Sequence, residues 1–137
     1  MKKQKMIRNA ARVFMGVSAL SMLSVSLMAF SSPQAVMDLV HVQLTNNDAF
    51  SSIRGIYGGV GLTLFIGIVY MLVKEVKRGL QFLTMLWGFY ALSRVLTILI
   101  EGKLGAFGTQ WLTIETTFCI IALALNMAYR PARTTNA

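Results

Sequence analysis

Four long apolar stretches constrain this chain more than any other feature of its sequence. The hydrocarbon core of a bilayer is about 30 Å thick, so a helix that crosses it needs about 20 mostly apolar residues. Continuous apolar runs favour helices there, because the backbone must satisfy its own hydrogen bonds in lipid. The sequence therefore predicts an all-α fold, a bundle of four transmembrane helices at residues 13–30, 55–73, 79–100 and 108–129.

The composition agrees with a membrane domain. Hydrophobic residues make up 55% of the 137 residues, and charged residues only 13%, about half of the roughly 25% found in soluble domains. This balance excludes a disordered chain. We expect one membrane domain at residues 13–130, between a basic tail at residues 1–12 and a second tail at residues 131–137.

The net charge of +8 would suit a nucleic-acid-binding protein, but the positions of the cations do not. Such a protein needs its basic residues gathered on one exposed face. Here ten of the thirteen flank the apolar stretches, in the first tail, between the second and third stretches, and after the fourth. Cations favour the cytoplasmic side of a membrane. The pattern predicts that both termini are cytoplasmic and that nucleic acid is not a partner.

The first stretch has a second interpretation. A basic start followed by an apolar run also describes a secretory signal peptide. The run is long for such a segment, and Ser32-Pro33-Gln34-Ala35 lacks a clear cleavage pattern, so we favour a retained helix. Beyond it, Ser32 and Pro33 resemble a helix start, whereas the alternation from Val40 to Leu44 fits an extended segment. The sequence leaves both open.

Two charged residues inside the apolar stretches are the main candidates for function. Arg94 lies seven residues before Glu101, and Glu115 lies seven residues after Gly108. Each is therefore roughly 10 Å below the outer boundary of the membrane. Because a short turn joins the two helices, we predict an Arg94–Glu115 ion pair in the outer half of the bundle. Glu101 shares the helical face of Arg94, and Arg54 could reach this cluster.

Small residues accompany this polar cluster. Residues 115, 119, 122 and 126 predict one face of small and polar side chains on the fourth helix. Glycines let helices approach closely, and an ion pair among them can be a purely structural pin. We therefore keep a structural role beside a ligand-binding role. The expected helix-packing glycines are Gly55, Gly58, Gly59, Gly61 and Gly88.

The sequence contains none of the catalytic or nucleotide-binding motifs with a known mechanism. His41 and Cys119 are the only histidine and the only cysteine. They cannot form a structural zinc site or bis-histidine haem ligation within one chain. We expect no enzyme activity, no cofactor and no metal site.

One group of residues resembles a known family. The stretch Ser52-Ile53-Arg54-Gly55-Ile56-Tyr57-Gly58-Gly59, together with Ser93-Arg94 and Glu115, is similar to the bacterial domain-of-unknown-function family 4345. The resemblance covers roughly residues 36–126. It implies a small four-helix inner-membrane protein without an established activity, and it adds Tyr57 to the candidate cluster. Ser93 departs from the glycine expected before the arginine.

These observations lead to three functional hypotheses. The first is a binding or accessory membrane protein that holds a lipid headgroup, a small anion or a partner helix at the cluster of Arg54, Tyr57, Arg94, Glu101 and Glu115. The second is a transporter of protons or small solutes, for which no inverted repeat is evident. The third is a quinone-linked membrane subunit. A homo-oligomer or a partner membrane protein is compatible with each of them.

Overall fold

The computed structural model describes residues 2–130, and within them all regular structure is helical. Four helical stretches are long and apolar enough to cross a membrane: Lys2–Ser31, Asn47–Lys74, Val76–Ile100 and Ala106–Ala128. The all-helical fold and the four candidate spans are thereby confirmed. The expected tail at residues 131–137, with Arg133, lies outside the described residues. The elements are α1 (Lys2–Ser31), α2 (Pro33–Asp38), α3 (Asn47–Ile53), a π-helical segment (Arg54–Val60), α4 (Gly61–Lys74), α5 (Val76–Ile100) and α6 (Ala106–Ala128).

The first two spans are longer than their apolar runs. Helix α1 begins at Lys2, so the residues of the basic tail from Lys2 onward are helical. The second span begins at Asn47 because the Asn46 side chain accepts a hydrogen bond from the Ala49 amide. This N-cap satisfies a backbone donor that the helix cannot satisfy itself. Helical structure thus reaches beyond the residues that lipid alone would require.

The connection between the first two spans is ordered by one side chain. Ser32 caps α2, with Pro33 in the first turn, so the helical alternative holds for residues 33–38. Gln34 then donates hydrogen bonds to Asp38 and to the carbonyl of Val42, and accepts one from the Leu44 amide. These bonds tie the following chain back onto α2.

The distribution of apolar and polar side chains is that of a protein solvated by lipid. Large side chains such as Leu99 and Met127 are about three-quarters exposed, at 75% and 76%. Polar Ser18 and Ser26 and the charged Glu115 are buried instead. In water, large exposed apolar patches are a liability. Lipid covers them at no cost, because its chains are as apolar as leucine.

The chain divides into two compact units. The first, which we call the α5–α6 unit, comprises Met1–Met15 and Met71–Ala137. The second, the π unit, comprises Gly16–Tyr70. Each unit is described by itself.

The α5–α6 unit is built on aromatic packing. Trp87 is only 2% exposed. Its ring packs edge-on against Phe118 with 5.0 Å between the ring centroids, and Phe118 packs edge-on against Phe14 of α1 with 5.4 Å between the centroids. Edge-to-face pairs at this separation are favourable beyond their burial. At one end of the unit, Gln4 contacts the carbonyl of Ala128 and the amide of Arg130. The start of α1 therefore lies beside the end of α6.

The π unit is built on a close approach of two backbones. The Ser26 hydroxyl donates a 2.6 Å hydrogen bond to the carbonyl of Gly58 in the π-helical segment. A Cβ added at Gly58 would lie 3.1 Å from the Phe30 ring, and one at Gly61 would lie 3.2 Å from Ser26 Cβ. The second half of α1 therefore packs directly on these two glycines.

Candidate functional site

The central feature of the α5–α6 unit is the ion pair between Arg94 and Glu115. Arg94 Nε lies 2.6 Å from Glu115 Oε2, and Arg94 Nη2 lies 2.8 Å from Glu115 Oε1. The guanidinium therefore donates one hydrogen bond to each carboxylate oxygen, and this bidentate geometry makes such pairs strong and directional. The ion pair expected from the sequence is present, and it joins α5 to α6.

The two partners differ in exposure. The Glu115 side chain is 3% exposed, whereas that of Arg94 is 22% exposed. The carboxylate is thus enclosed by the protein, whereas part of the Arg94 side chain is exposed. Arg94 uses Nε and Nη2 for the carboxylate, and no hydrogen bond from its Nη1 occurs within residues 2–130. The Phe107 ring lies 6.0 Å from the guanidinium carbon, at the limit of a cation–π contact.

Small residues let α5 and α6 approach closely beside this pair. A Cβ added at Gly88 would lie 3.4 Å from Cys119 Sγ, and that sulfur lies 3.5 Å from the carbonyl of Thr84. Further along, Lys77 Nζ donates to the main-chain carbonyl of Asn126. The expected face on α6 therefore does turn toward α5. Its Asn126 Oδ1 is buried, with no hydrogen-bond partner in the described part of the chain.

The other expected members are Glu101, which is in the same unit, and Arg54 and Tyr57, which are in the π unit. Glu101 is exposed at the C-terminal cap of α5, and the ion pairs found among residues 2–130 do not include it. Seven residues do restore a helical face, but α5 ends at Ile100, so Glu101 sits where the chain turns away. Arg54 and Tyr57 belong to the π unit. There Arg54 Nε donates to the Phe30 carbonyl at 3.3 Å, and Tyr57 is 38% exposed.

The glycines expected to pack helices divide into two groups. Gly58, Gly61 and Gly88 make the close approaches described above. Gly55 and Gly59, the pair with the familiar GxxxG spacing, have open space where a Cβ would be. Within the π unit, this pair therefore does not pack against another helix. The physical reason is that Gly58 and Gly61 occupy the side of the helix that faces α1.

Sequence reasoning missed the π-helical segment Arg54–Val60. Such i to i+5 structure is rare and is frequently found at functional sites. Its sequence, Arg-Gly-Ile-Tyr-Gly-Gly-Val, holds three glycines, which weaken the preference for an α-helix. That glycine density is the signal that could have suggested an irregular helix. The segment coincides with the most distinctive part of the family resemblance.

The possible metal ligands in the described part of the chain do not form a metal site. Within the described residues, no three His, Cys, Asp or Glu side chains lie close enough together to hold a metal ion. The chemistry available at the Arg94–Glu115 pair is hydrogen bonding to an acceptor through Arg94 Nη1, which Glu115 does not engage.

Comparison with known proteins places the chain in a family. No curated protein and no solved structure matches it significantly. The family described as "Domain of unknown function (DUF4345)" matches residues 10–126. This match includes α1 from residue 10 onward, which the resemblance noted above did not cover, and it includes Arg54, Arg94 and Glu115. The chain therefore belongs to the DUF4345 family.

Proposed function

We propose that the protein is a non-catalytic, multi-pass membrane protein of the binding or accessory kind, and that Arg94 holds an oxygen acceptor of a lipid headgroup. The single observation that carries this proposal is that Glu115 engages Nε and Nη2 of Arg94 and leaves Nη1 unused. Glu115 fixes the guanidinium from one side, yet 22% of the Arg94 side chain stays exposed. Ionisable residues at this depth in a membrane are functional candidates by default.

The electrostatics of the pair favour a lipid over a free anion. Arg94 and Glu115 neutralise each other, so a small anion gains little Coulomb energy at the site. A phosphate or ester oxygen of a lipid needs only the hydrogen bonds that Nη1 can donate. It is also already concentrated near the boundary of the hydrocarbon core. Binding of a lipid oxygen therefore needs less interaction energy from the site than binding of a free anion from water.

The proposed location is the cytoplasmic membrane of a bacterium, with both termini in the cytoplasm. The contact of Gln4 with Ala128 and Arg130 supports a common side for the two ends of the chain. The cations collect at that same end, as the positive-inside rule requires of a cytoplasmic side. They are Lys2, Lys3, Lys5, Lys74, Lys77, Arg78 and Arg130.

Native mass spectrometry of protein reconstituted with phosphatidylcholine tests the proposed site. The informative variant is the double replacement Arg94→Leu with Glu115→Leu, because it removes both charges and leaves no unpaired ion. We expect the wild-type protein to retain bound phosphatidylcholine and this variant to lose one bound lipid. Circular dichroism of the same samples reports whether both are folded.

The matched control replaces Thr97 and Thr113 by leucine on the same two helices. Each of these hydroxyls bonds a carbonyl of its own helix, and each residue is exposed. The control therefore removes polarity near the pair without removing the guanidinium, and we expect it to retain lipid as the wild type does. Equal retention by the folded Arg94/Glu115 double variant would contradict lipid binding and leave the pair a structural pin.

A further inference from the structure

A cavity of about 210 Å³ opens where α4 turns into α5. It belongs to the α5–α6 unit and lies at the end opposite to the Glu101 turn of α5. Liquid water takes about 30 Å³ per molecule, so the space accommodates a phosphate-sized group with some of its water. The residues that line it are Lys74, Glu75, Val76, Lys77, Arg78 and Tyr129.

The lining carries excess positive charge. Three cations and one carboxylate line the cavity, which leaves a net charge of two positive units. Glu75 is already engaged, since both of its oxygens accept from Arg78 Nη1 at 2.8 and 2.9 Å. Lys74 is exposed and has no ion-pair partner within residues 2–130. Its ammonium group is therefore free to meet an anion.

The backbone adds donors to the same place. Helix α5 begins at Val76, and the side chain of its N-cap residue Glu75 makes no capping hydrogen bond. The first amides of a helix have no partner within it, so the amides of the first turn remain available. Together with the helix dipole, such amides favour an anion. Val76, Lys77 and Arg78, which form this first turn, all line the cavity.

We infer that this cavity binds a phosphate group. A phosphate carries up to two negative charges and several acceptor oxygens, which match two net positive charges and a set of uncapped amides. Basic pockets at the cytoplasmic ends of membrane helices are suited to acidic lipid headgroups. Free inorganic phosphate offers the same chemistry. The inference is independent of the Arg94 site, because the two groups of residues share no member.

Titration of the full-length protein in phosphatidylcholine nanodiscs with short-chain phosphatidic acid, and separately with inorganic phosphate, tests the inference. Removal of one cation near a membrane surface should weaken anion binding by about fivefold. We expect this loss for Lys74→Gln, and at least the same for Arg78→Gln, which also releases the Glu75 carboxylate. The exposed, unpaired Lys74 makes the first variant informative even if the second fails to fold.

The matched controls are Lys5→Gln and Lys103→Gln. Lys5 is a cation of the same end that does not line the cavity, and Lys103 lies beyond the far end of α5. Both variants should bind phosphatidic acid and inorganic phosphate with the affinity of the wild-type protein. Binding of both compounds supports recognition of the phosphate group itself, and binding of phosphatidic acid alone supports a lipid headgroup as its source. Absence of binding, or equal weakening by Lys103→Gln, would overturn the inference.

Discussion

Replacement of Arg94 alone, or of Glu115 alone, by leucine should destabilise the folded protein by about 3–5 kcal/mol. Each change leaves one charged group without its partner, and Glu115 is only 3% exposed. Neutral polar contacts between membrane helices contribute less, on average about 0.6 kcal/mol. The larger value applies here because the loss concerns a bidentate pair of full charges rather than one hydrogen bond.

The double replacement of Arg94 and Glu115 by leucine should recover most of that loss, since no charge is then left unpaired. Unfolding of the purified variants by titration with sodium dodecyl sulfate, followed by circular dichroism, measures all members of this cycle. Additive losses in the double variant would contradict the coupling that the geometry indicates. Recovery of stability with loss of bound lipid would separate the binding role of the pair from its structural role.

The second large effect concerns Trp87. Its replacement by alanine should cost about 3–5 kcal/mol, because the ring is 2% exposed and packs edge-on against Phe118. Lipid reduces the part of this cost that comes from exposing apolar surface to water. The void left by the missing ring and the loss of its contacts with Phe118 still destabilise the variant. Phe89, two residues along α5, is 67% exposed, so Phe89→Ala is the matched control and should have little effect.

The same unfolding titration measures both aromatic variants. Comparable losses from Trp87→Ala and Phe89→Ala would contradict the assignment of Trp87 to the interior and of Phe89 to the lipid-facing side. A selective loss from Trp87→Ala would establish the Trp87–Phe118–Phe14 cluster as the packing centre of the α5–α6 unit.

The helices and the ion pair could be predicted from the sequence because each depends on a short-range regularity. Apolar runs of about 20 residues define spans. Arg94 and Glu115 lie equally far from a short turn, so two antiparallel helices bring them to one depth. In the same way, Ser32 and Pro33 predicted a helix start that the structure contains.

Other parts of the site depend on packing that the pattern does not encode. Contact with α1 decides which glycines pack closely, and it involves Gly58 and Gly61 rather than Gly55 and Gly59. The local spacing of the glycines does not reveal this contact. The π-helical segment changes the direction of side chains that an ideal helix would align. Glu101 makes no ion pair within residues 2–130. A seven-residue spacing places two residues on one face only while the helix continues, and α5 ends at Ile100. The cavity at the α4–α5 turn likewise requires Tyr129 from a distant part of the chain.

Cysteine accessibility in intact cells tests the central claim, that four helices cross a membrane and place both ends of the chain on its cytoplasmic side. In a Cys119→Ala background, single cysteines replace His41, Lys103, Lys5 and Arg78, all of which are exposed. A membrane-impermeant maleimide should label the cysteines at positions 41 and 103 in intact cells, and those at positions 5 and 78 only after lysis. Labelling of position 5 or 78 before lysis, or protection of position 41 or 103, would contradict the account.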